Sequence, residues 1–445
     1  MSAPAELPAT PENEQFVAWL RAVAPYIHAF RGRTFVVAFP GDLVVSGRLN
    51  ALVQDVSLLH AMGMRIVVVF GARPQINEQL RLRGFEPRYH NGLRITDAAT
   101  LECVKEASGE MRLDIEAAFS QGLPNTPMAH SAIRVVSGNL IGSRPVGIVD
   151  GVDFMHTGLA RKVDAQMMRF ALDSGAVVLL SNLGFSPTGE AFNLTMEDVA
   201  STTAATLDAD KLIFVTELPG IRSAEGALLG EISEAEAKSM LASDHLGAAE
   251  RFYLKHALRA CEKGVARAHV IPFDVDGSVL LELFKHDGVG SMVVEEGLEA
   301  LREAGHDDVG GIIALIRPLE EDGTLVRRDR ALIEREVGNF SVIEHDGVIF
   351  GCAALYPFAE DKIGEMACLA VNPRVQGRGD GERLLKRVEQ RARGAGLTRL
   401  FVLTTRTTHW FLRRGFVLGD VESLPSERKG FYNWQRKSQV LIKDL

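Results

Sequence analysis

A glycine-rich turn, Gln376-Gly377-Arg378-Gly379-Asp380-Gly381, follows an apolar run and precedes a stretch with Leu384, Leu385, Val388 and Ala392 on one helical side. A turn of this kind opening a helix aims several unpaired backbone N–H groups at one point, where the helix dipole also favours negative charge. That is the chemistry of a pyrophosphate cradle. The dinucleotide pattern G-x-G-x-x-G is a rival, but it requires a second parallel strand and an acidic residue about 20 positions on, and residues 396–403 offer none. A lone glycine turn is equally a structural device; the strand before it and the helix after it favour anion binding. The entering run, residues 364–371, carries Glu365 at its head, where burial would raise a carboxyl toward the range of a general base. The alternative is a strand-end carboxylate facing water.

These groups need a scaffold, and 445 residues supply more than one. Such a chain is too long for one ordinary core and comfortable for two or three. With 46% hydrophobic and 24% charged residues it reads as globular. A formal charge of −9 has the wrong sign for neutralising nucleic-acid phosphates, so no nucleic-acid partner is expected. Cys103, Cys261, Cys352 and Cys368 lie far apart without a C-x-x-C pair; they cannot staple a secreted fold, and a reducing cytoplasm fits best. No metal site is expected. Residues 1–13 lack an apolar signal core, and no stretch of about 18 uncharged apolar residues occurs, so no membrane association is expected.

Phe16, Leu20, Val23, Ala24 and Ile27 recur at helical spacing and predict an N-terminal arm over residues 1–30. From residue 34, apolar runs at 35–39, 65–70, 133–136, 176–180, 211–215 and 268–271 are separated by helix-length segments. Continuous rather than alternating apolar strands indicate a mostly parallel sheet covered on both faces. This α/β domain spans 31–293. The text turns Glu-rich over 294–308, read as a linker, and 309–445 form a second domain. There the pattern predicts helices at 309–320 and 328–337, a hairpin of 340–344 and 348–355 around Asp346-Gly347, a strand at 365–371, a helix at 381–393, a strand at 400–404 and a helix at 408–413.

Gln376-x-x-Gly379-x-Gly381 resembles the Q/R-x-x-G-x-G/A acetyl-CoA loop of the GNAT-type N-acetyltransferases. The resemblance narrows with Arg317-Pro318-Leu319-Glu320-Glu321, Leu325-Val326-Arg327-Arg328, Cys352-Ala353-Ala354-Leu355, Gly364-Glu365-Met366-Ala367-Cys368-Leu369-Ala370-Val371, Leu403-Thr404-Thr405, Trp410-Phe411 and Arg414-Gly415-Phe416, which look like the bacterial N-acetylglutamate synthases. It implies that Glu365 is the base that activates the amine of L-glutamate, and that the Thr404 hydroxyl protonates the departing thiolate. An α-ammonium group, with a reference pKa of about 7.7–8.0, must lose a proton before attack, whereas a thiol near about 8.5 leaves readily as the anion. The base therefore matters more than the acid. The resemblance assigns acetyl-CoA, a cosubstrate and not a resident cofactor, to Cys368, Leu369, Val371, Gln376, Gly377, Arg378, Gly379, Asp380 and Gly381. It assigns the glutamate carboxylates to Arg328, Arg428 and Arg436, which a guanidinium fork can hold bidentately. Cys368 is expected to contribute backbone beside the thioester, since small buried cysteines are usually inert.

The first 290 residues resemble the amino-acid kinase family, acetylglutamate kinases in particular, through Gly41-Asp42, Gly71-Ala72-Arg73-Pro74-Gln75-Ile76, Gly92-Leu93-Arg94-Ile95-Thr96-Asp97, Phe192-Asn193-Leu194, Pro219-Gly220-Ile221 and Gly288-Val289-Gly290. The departures decide the function. Ala38 stands where active kinases have a lysine, Gly71-Ala72-Arg73 where they have an all-glycine phosphate loop, and Glu197 where they have an aspartate; Lys255 alone matches. Phosphoryl transfer depends on positioned positive charge, so kinase activity should be lost. The resemblance further implies a binding site for L-arginine, the inhibitor, at Tyr26, His269, Glu282 and Gly288, and a homo-oligomer, a hexamer. The expected protein is thus an α/β, three-layer amino-acid-kinase-like domain followed by an α+β GNAT-type N-acetyltransferase domain, making N-acetyl-L-glutamate and CoA. The alternatives are a bifunctional synthase/kinase, disfavoured by Ala38, and a non-catalytic arginine sensor, disfavoured by Glu365, Gly379 and Gly381.

Overall fold

The computed structural model describes residues 11–445 apart from 123–125, 127, 132, 286–287, 295–299, 346, 374–375, 377–378, 431–435 and 437. Gly377 and Arg378 of the glycine turn therefore lie outside the described residues. The chain divides into two units, Met1–Glu296 and Gly297–Leu445.

The first unit opens with helix α1, Pro11–Phe30. Its sheet is built from β1 (Thr34–Phe39), β2 (Arg65–Phe70), β3 (Arg134–Val136), β4 (Ala176–Leu180), β5 (Lys211–Thr216), β6 (Glu231–Ser233), β7 (Arg267–Pro272) and β8 (Ser291–Val294). Their order is β6-β8-β7-β5-β1-β2-β4-β3, and among the described residues β7–β8 is its one antiparallel pairing. The continuous apolar runs are explained by cores on both faces. Val36, Ala38, Val67, Val69, Leu212 and Phe214 point into one, while Phe35, Val37, Phe39, Val68, Ile213 and Val215 point into the other. Helix α2 (Leu49–Ala61) packs on the second face and buries Asp55, which is 9% exposed. Burial, with Asp276 adding repulsion, pushes the Asp55 carboxyl up to about 7. The short helix α3 (Ser278–Phe284) follows β7.

The second unit is a seven-stranded sheet, β9 (Ala300–Glu303), β10 (Phe340–His345), β11 (Val348–Phe358), β12 (Ile363–Val371), β13 (Arg399–Thr404), β14 (Val417–Gly419) and β15 (Gln439–Asp444), in the order β9-β10-β11-β12-β13-β15-β14. Among the described residues only β12 and β13 run parallel. Helices α4 (Val309–Glu321) and α5 (Arg330–Arg335) share one apolar core with the sheet, through Ile312, Ile316 and Ile333; helix α6 (Asp380–Gly394) shares another through Leu384, Leu385 and Val388. Two sequence expectations are corrected here. Residues 300–303 are not linker but an edge strand, hidden because its side chains are charged: Arg302 forks Asp308 at 2.6 and 2.8 Å. The helix expected from 328 begins only at Arg330, because Asp329 caps it, accepting from Leu332 N at 2.7 Å. Arg328 thus precedes the helix.

Candidate functional site

The strand pairing of β12 with β13 covers only Ile363↔Arg399, Gly364↔Leu400 and Glu365↔Phe401. Beyond that point, among the described residues, β12 continues to Val371 bonded only to β11, and β13 to Thr404 bonded only to β15. The sheet therefore opens where Glu365 stands. Glu365 is not at the strand end facing water; it is third in β12 and 7% exposed. Arg428 forks its carboxylate, Nε to Oε2 at 2.6 Å and Nη2 to Oε1 at 3.1 Å. The fork engages one lone pair on each carboxylate oxygen.

Arg328 lies near enough for Glu365, Cys368 and Tyr356 to act on it: burial works against its charge, but these neighbours raise its pKa above the ordinary value. Its backbone N–H donates to Glu320 Oε1 at 3.0 Å. Arg436 is lowered by burial and by Arg328, and its Nη2 donates to the Gly323 and Thr324 carbonyls. Arg428 and Arg328 thus both act on Glu365, and Arg436 stands beside Arg328, although they enter from the α4–α5 connection and from the segment before β15. Tyr356, opposite Glu365 in the β11–β12 register, was missed; a phenol two residues past the small run Cys352-Ala353-Ala354 is its only sequence signal. Burial pushes the Tyr356 hydroxyl above its ordinary range.

Past Glu365 the strand carries a bulge. Cys352 pairs with Ala370 and Ala354 with Ala367, so Cys368 and Leu369 together face Ala353. Cys368 adopts φ +53°, and its carbonyl accepts from Cys352 Sγ at 3.4 Å. Consequently Ala367 and Cys368 both belong to the α4–α5 side, with Leu369 and Val371 on the α6 side. Burial, partly offset by Arg328, pushes the Cys368 thiol up to about 11, so it is a neutral packing group at neutral pH.

The glycine turn assigns different work to its residues. Gly379 has φ +95°, and the space where a Cβ would stand is open to 4 Å, so this glycine serves the backbone turn into α6. A Cβ on Gly381 would stand 3.1 Å from the Trp410 ring, so Gly381 serves helix packing. Gln376 turns back, Nε2 to the Val371 carbonyl at 3.1 Å, and Asp380 accepts from Arg383 at 3.2 Å. Thr404 Oγ1 lies 2.8 Å from Thr407 Oγ1 and accepts from Thr407 N at 3.0 Å, which closes the end of β13.

In the first unit, His269, Glu282 and Gly288 come together, and Tyr26 packs against α3, the helix that carries Glu282. His269 Nδ1 lies 2.7 Å from Glu282 Oε1; Val289 and Gly290 N–H donate to Glu282 Oε2 at 2.7 and 3.2 Å. Burial opposes the Glu282 charge, yet His269 and the two N–H groups outweigh it and bring the carboxyl below its ordinary range. Burial also lowers His269. A neutral imidazole must donate Nδ1–H to the acceptor-only carboxylate, which leaves Nε2 an acceptor, buried and without a partner among the described residues. Tyr26 packs edge-on against Phe284, ring centroids 6.5 Å apart. Lys211, its ammonium 5.0 Å from the Phe30 ring, also acts on His269 and was missed.

The kinase positions do other work. Ala38 is fully buried in the sheet core. Arg73 sits over the Tyr89 ring at 4.5 Å and donates to its hydroxyl at 3.3 Å. Burial pushes Glu197 up to about 7, and Lys255 is exposed. Among the described residues no group of His, Cys, Asp and Glu is arranged to hold a metal ion, and no helix is long and apolar enough to cross a membrane.

Residues 33–272 match the model of the amino acid kinase family, and residues 312–416 match the acetyltransferase (GNAT) family. The amino-acid acetyltransferase of Ralstonia nicotianae is 63% identical over 441 residues, covering 99% of this chain and 98% of that protein. That of Azotobacter vinelandii is 49% identical over 97% of this chain and 99% of its own length. The crystal structure of N-acetylglutamate synthase from Neisseria gonorrhoeae complexed with coenzyme A and L-arginine superposes with a TM-score of 0.86 at 39% identity, covering 97% of this chain and 99% of that one. The same enzyme complexed with coenzyme A and N-acetyl-glutamate gives 0.62 at 40% identity and the same coverage.

Proposed function

Since the chain belongs to the amino-acid acetyltransferases and is an N-acetyltransferase, we propose that its acceptor is L-glutamate, that acetyl-CoA is its donor, and that L-arginine inhibits it through the first unit. The observation that carries the acceptor is the set of Arg428 and Arg328 acting on Glu365 with Arg436 beside Arg328. Three guanidinium groups suit a substrate with two carboxylates, and the one carboxylate among them suits its amine. Glu365 takes the proton from the substrate ammonium. The freed amine attacks the thioester carbonyl, whose oxygen is polarised by backbone N–H groups beside Cys368. The tetrahedral intermediate collapses as the C–S bond breaks and its nitrogen releases its second proton to water, and CoA leaves as the thiolate with N-acetyl-L-glutamate. Thr404 is a hydroxyl at the mouth of the opening, available to the thiolate. The backbone N–H groups that open α6 after Gly379 take the pyrophosphate.

In the first unit, Glu282 and His269 Nε2, which has no partner among the described residues, are two acceptors of the kind a guanidinium needs. The Neisseria complexes with arginine and with N-acetyl-glutamate support both assignments. A hexamer in the cytoplasm goes with this reading. The test is acetyl-CoA-dependent thiol release across the standard amino acids, with and without arginine: glutamate should be preferred and arginine should suppress it. Equal turnover of neutral amino acids would refute the acceptor assignment. ATP with N-acetylglutamate should give no acyl phosphate; its appearance would restore the bifunctional alternative despite Ala38.

A further inference from the structure

The Arg428–Glu365 fork poses a problem for catalysis. A carboxylate whose two oxygens both accept from one guanidinium, at 2.6 and 3.1 Å, has only the outer lone pair of each oxygen left, and an incoming ammonium must reach it beside the positive charge of Arg428. The pair is also shielded, with side-chain exposures of 22% for Arg428 and 9% for Glu365, so water does not readily dissolve it. Arg328 and Tyr356 are also neighbours of Glu365. The base is therefore masked by a group whose own chemistry is to bind carboxylates.

We propose that a carboxylate of the acceptor unmasks the base: it displaces Glu365 from Arg428, and only then does Glu365 accept the ammonium proton. The inference rests on the glutamate-acceptor reading and adds an order of events to it. One charged fork is exchanged for another, so Arg428 stays paired throughout, and the ammonium arrives on the oxygens just vacated. Recognition and activation become one step. An amine without the correct carboxylate enters but finds the base still held. The selectivity of the reaction is then expressed in turnover and not only in affinity, as expected when binding energy is used to assemble the reacting arrangement.

The exchange has a signature opposite in sign to a simple substrate contact. Glu365→Gln removes the charge that competes for Arg428, so it should tighten L-glutamate binding while abolishing turnover. Calorimetry of the full chain saturated with CoA, titrated with L-glutamate, should give a Kd at least about fivefold lower for Glu365→Gln than for the parent, since a charge-assisted fork is replaced by a neutral one. Parent protein that binds glutamate as tightly as, or tighter than, Glu365→Gln overturns the exchange and leaves the acceptor assignment standing. Parent protein that binds no glutamate overturns the acceptor assignment and the exchange with it. A second measurement needs no variant. L-glutamine lacks the side-chain carboxylate and 4-aminobutanoate lacks the α-carboxylate; for whichever engages Arg428, kcat at saturation should fall at least about tenfold. If both lose only affinity and keep kcat, the exchange is refuted.

Discussion

Gly288→Ala tests the proposed arginine site at a single atom. Gly288 has φ +57°, and a Cβ there would lie 2.5 Å from Glu282 Oε2. Two costs follow. The left-handed backbone is disfavoured for alanine by about 1–2 kcal/mol, which weakens the turn into β8. More consequentially, the methyl cannot coexist with Glu282 as placed, and the carboxylate must leave at least one of its three hydrogen bonds to His269, Val289 and Gly290. Hydrogen bonds to a charged group are each worth about 1.5–3 kcal/mol, equivalent to about a tenfold to hundredfold loss of arginine affinity if the displaced carboxylate no longer meets the guanidinium. Acetyl transfer without arginine should be unchanged, because Glu365 and its arginines lie in the other unit. The assay is CoA release against arginine concentration, with thermal unfolding as a control on the fold. A well-folded Gly288→Ala protein with an unchanged arginine midpoint would mean that Glu282 does not hold the effector.

Glu365→Gln should lower turnover at least about a hundredfold, the effect of losing a positioned base, while Thr404→Ala has a smaller effect because a thiolate leaves unaided; a larger loss for Thr404→Ala in the same steady-state assay would reverse the proton assignments. Gly379→Val should raise the acetyl-CoA KM strongly, since φ +95° is closed to a β-branched residue, and undiminished CoA binding by calorimetry would remove the turn from the site. Asp55→Asn should stabilise the protein above neutrality. The folded-state pKa of about 7 lies above the ordinary carboxylate value, so the native state binds the extra proton and parental stability falls as pH rises from about 4 to 7. The variant should therefore gain up to a few kcal/mol at pH 8 and little at pH 4 in urea unfolding; an equal gain at both values would place the effect in packing.

The parallel sheet was legible because buried strands must be apolar on both faces, as β1 and β2 are. The edge strand β9 was not, since exposed edges are defended by charge, and Arg302 and Glu303 in a Glu-rich stretch look like linker. Glu365 was legible as an acid in an apolar run. Its pairing with Arg428, 63 positions away, depends on tertiary placement that no local pattern encodes. Gly379 and Gly381 were read as one motif, yet one answers a dihedral angle and the other an indole. The proposed arginine site became visible only through family resemblance, because Tyr26, His269, Glu282 and Gly288 share no spacing.

The bulge at Cys368 also bears on how the strand tolerates changes in length. Elsewhere in β12, losing or gaining one residue would send all that follows to the opposite side of the sheet. At 367–368, where two successive residues already share a side, removing one restores strict alternation and leaves Leu369, Ala370 and Val371 where they are. The distance along the strand from Glu365 to the glycine turn stays the same, because Ala367 and Ala370 still face Ala354 and Cys352 on β11. The bulge is thus a place where β12 can lose one residue without moving Glu365 relative to the glycine turn.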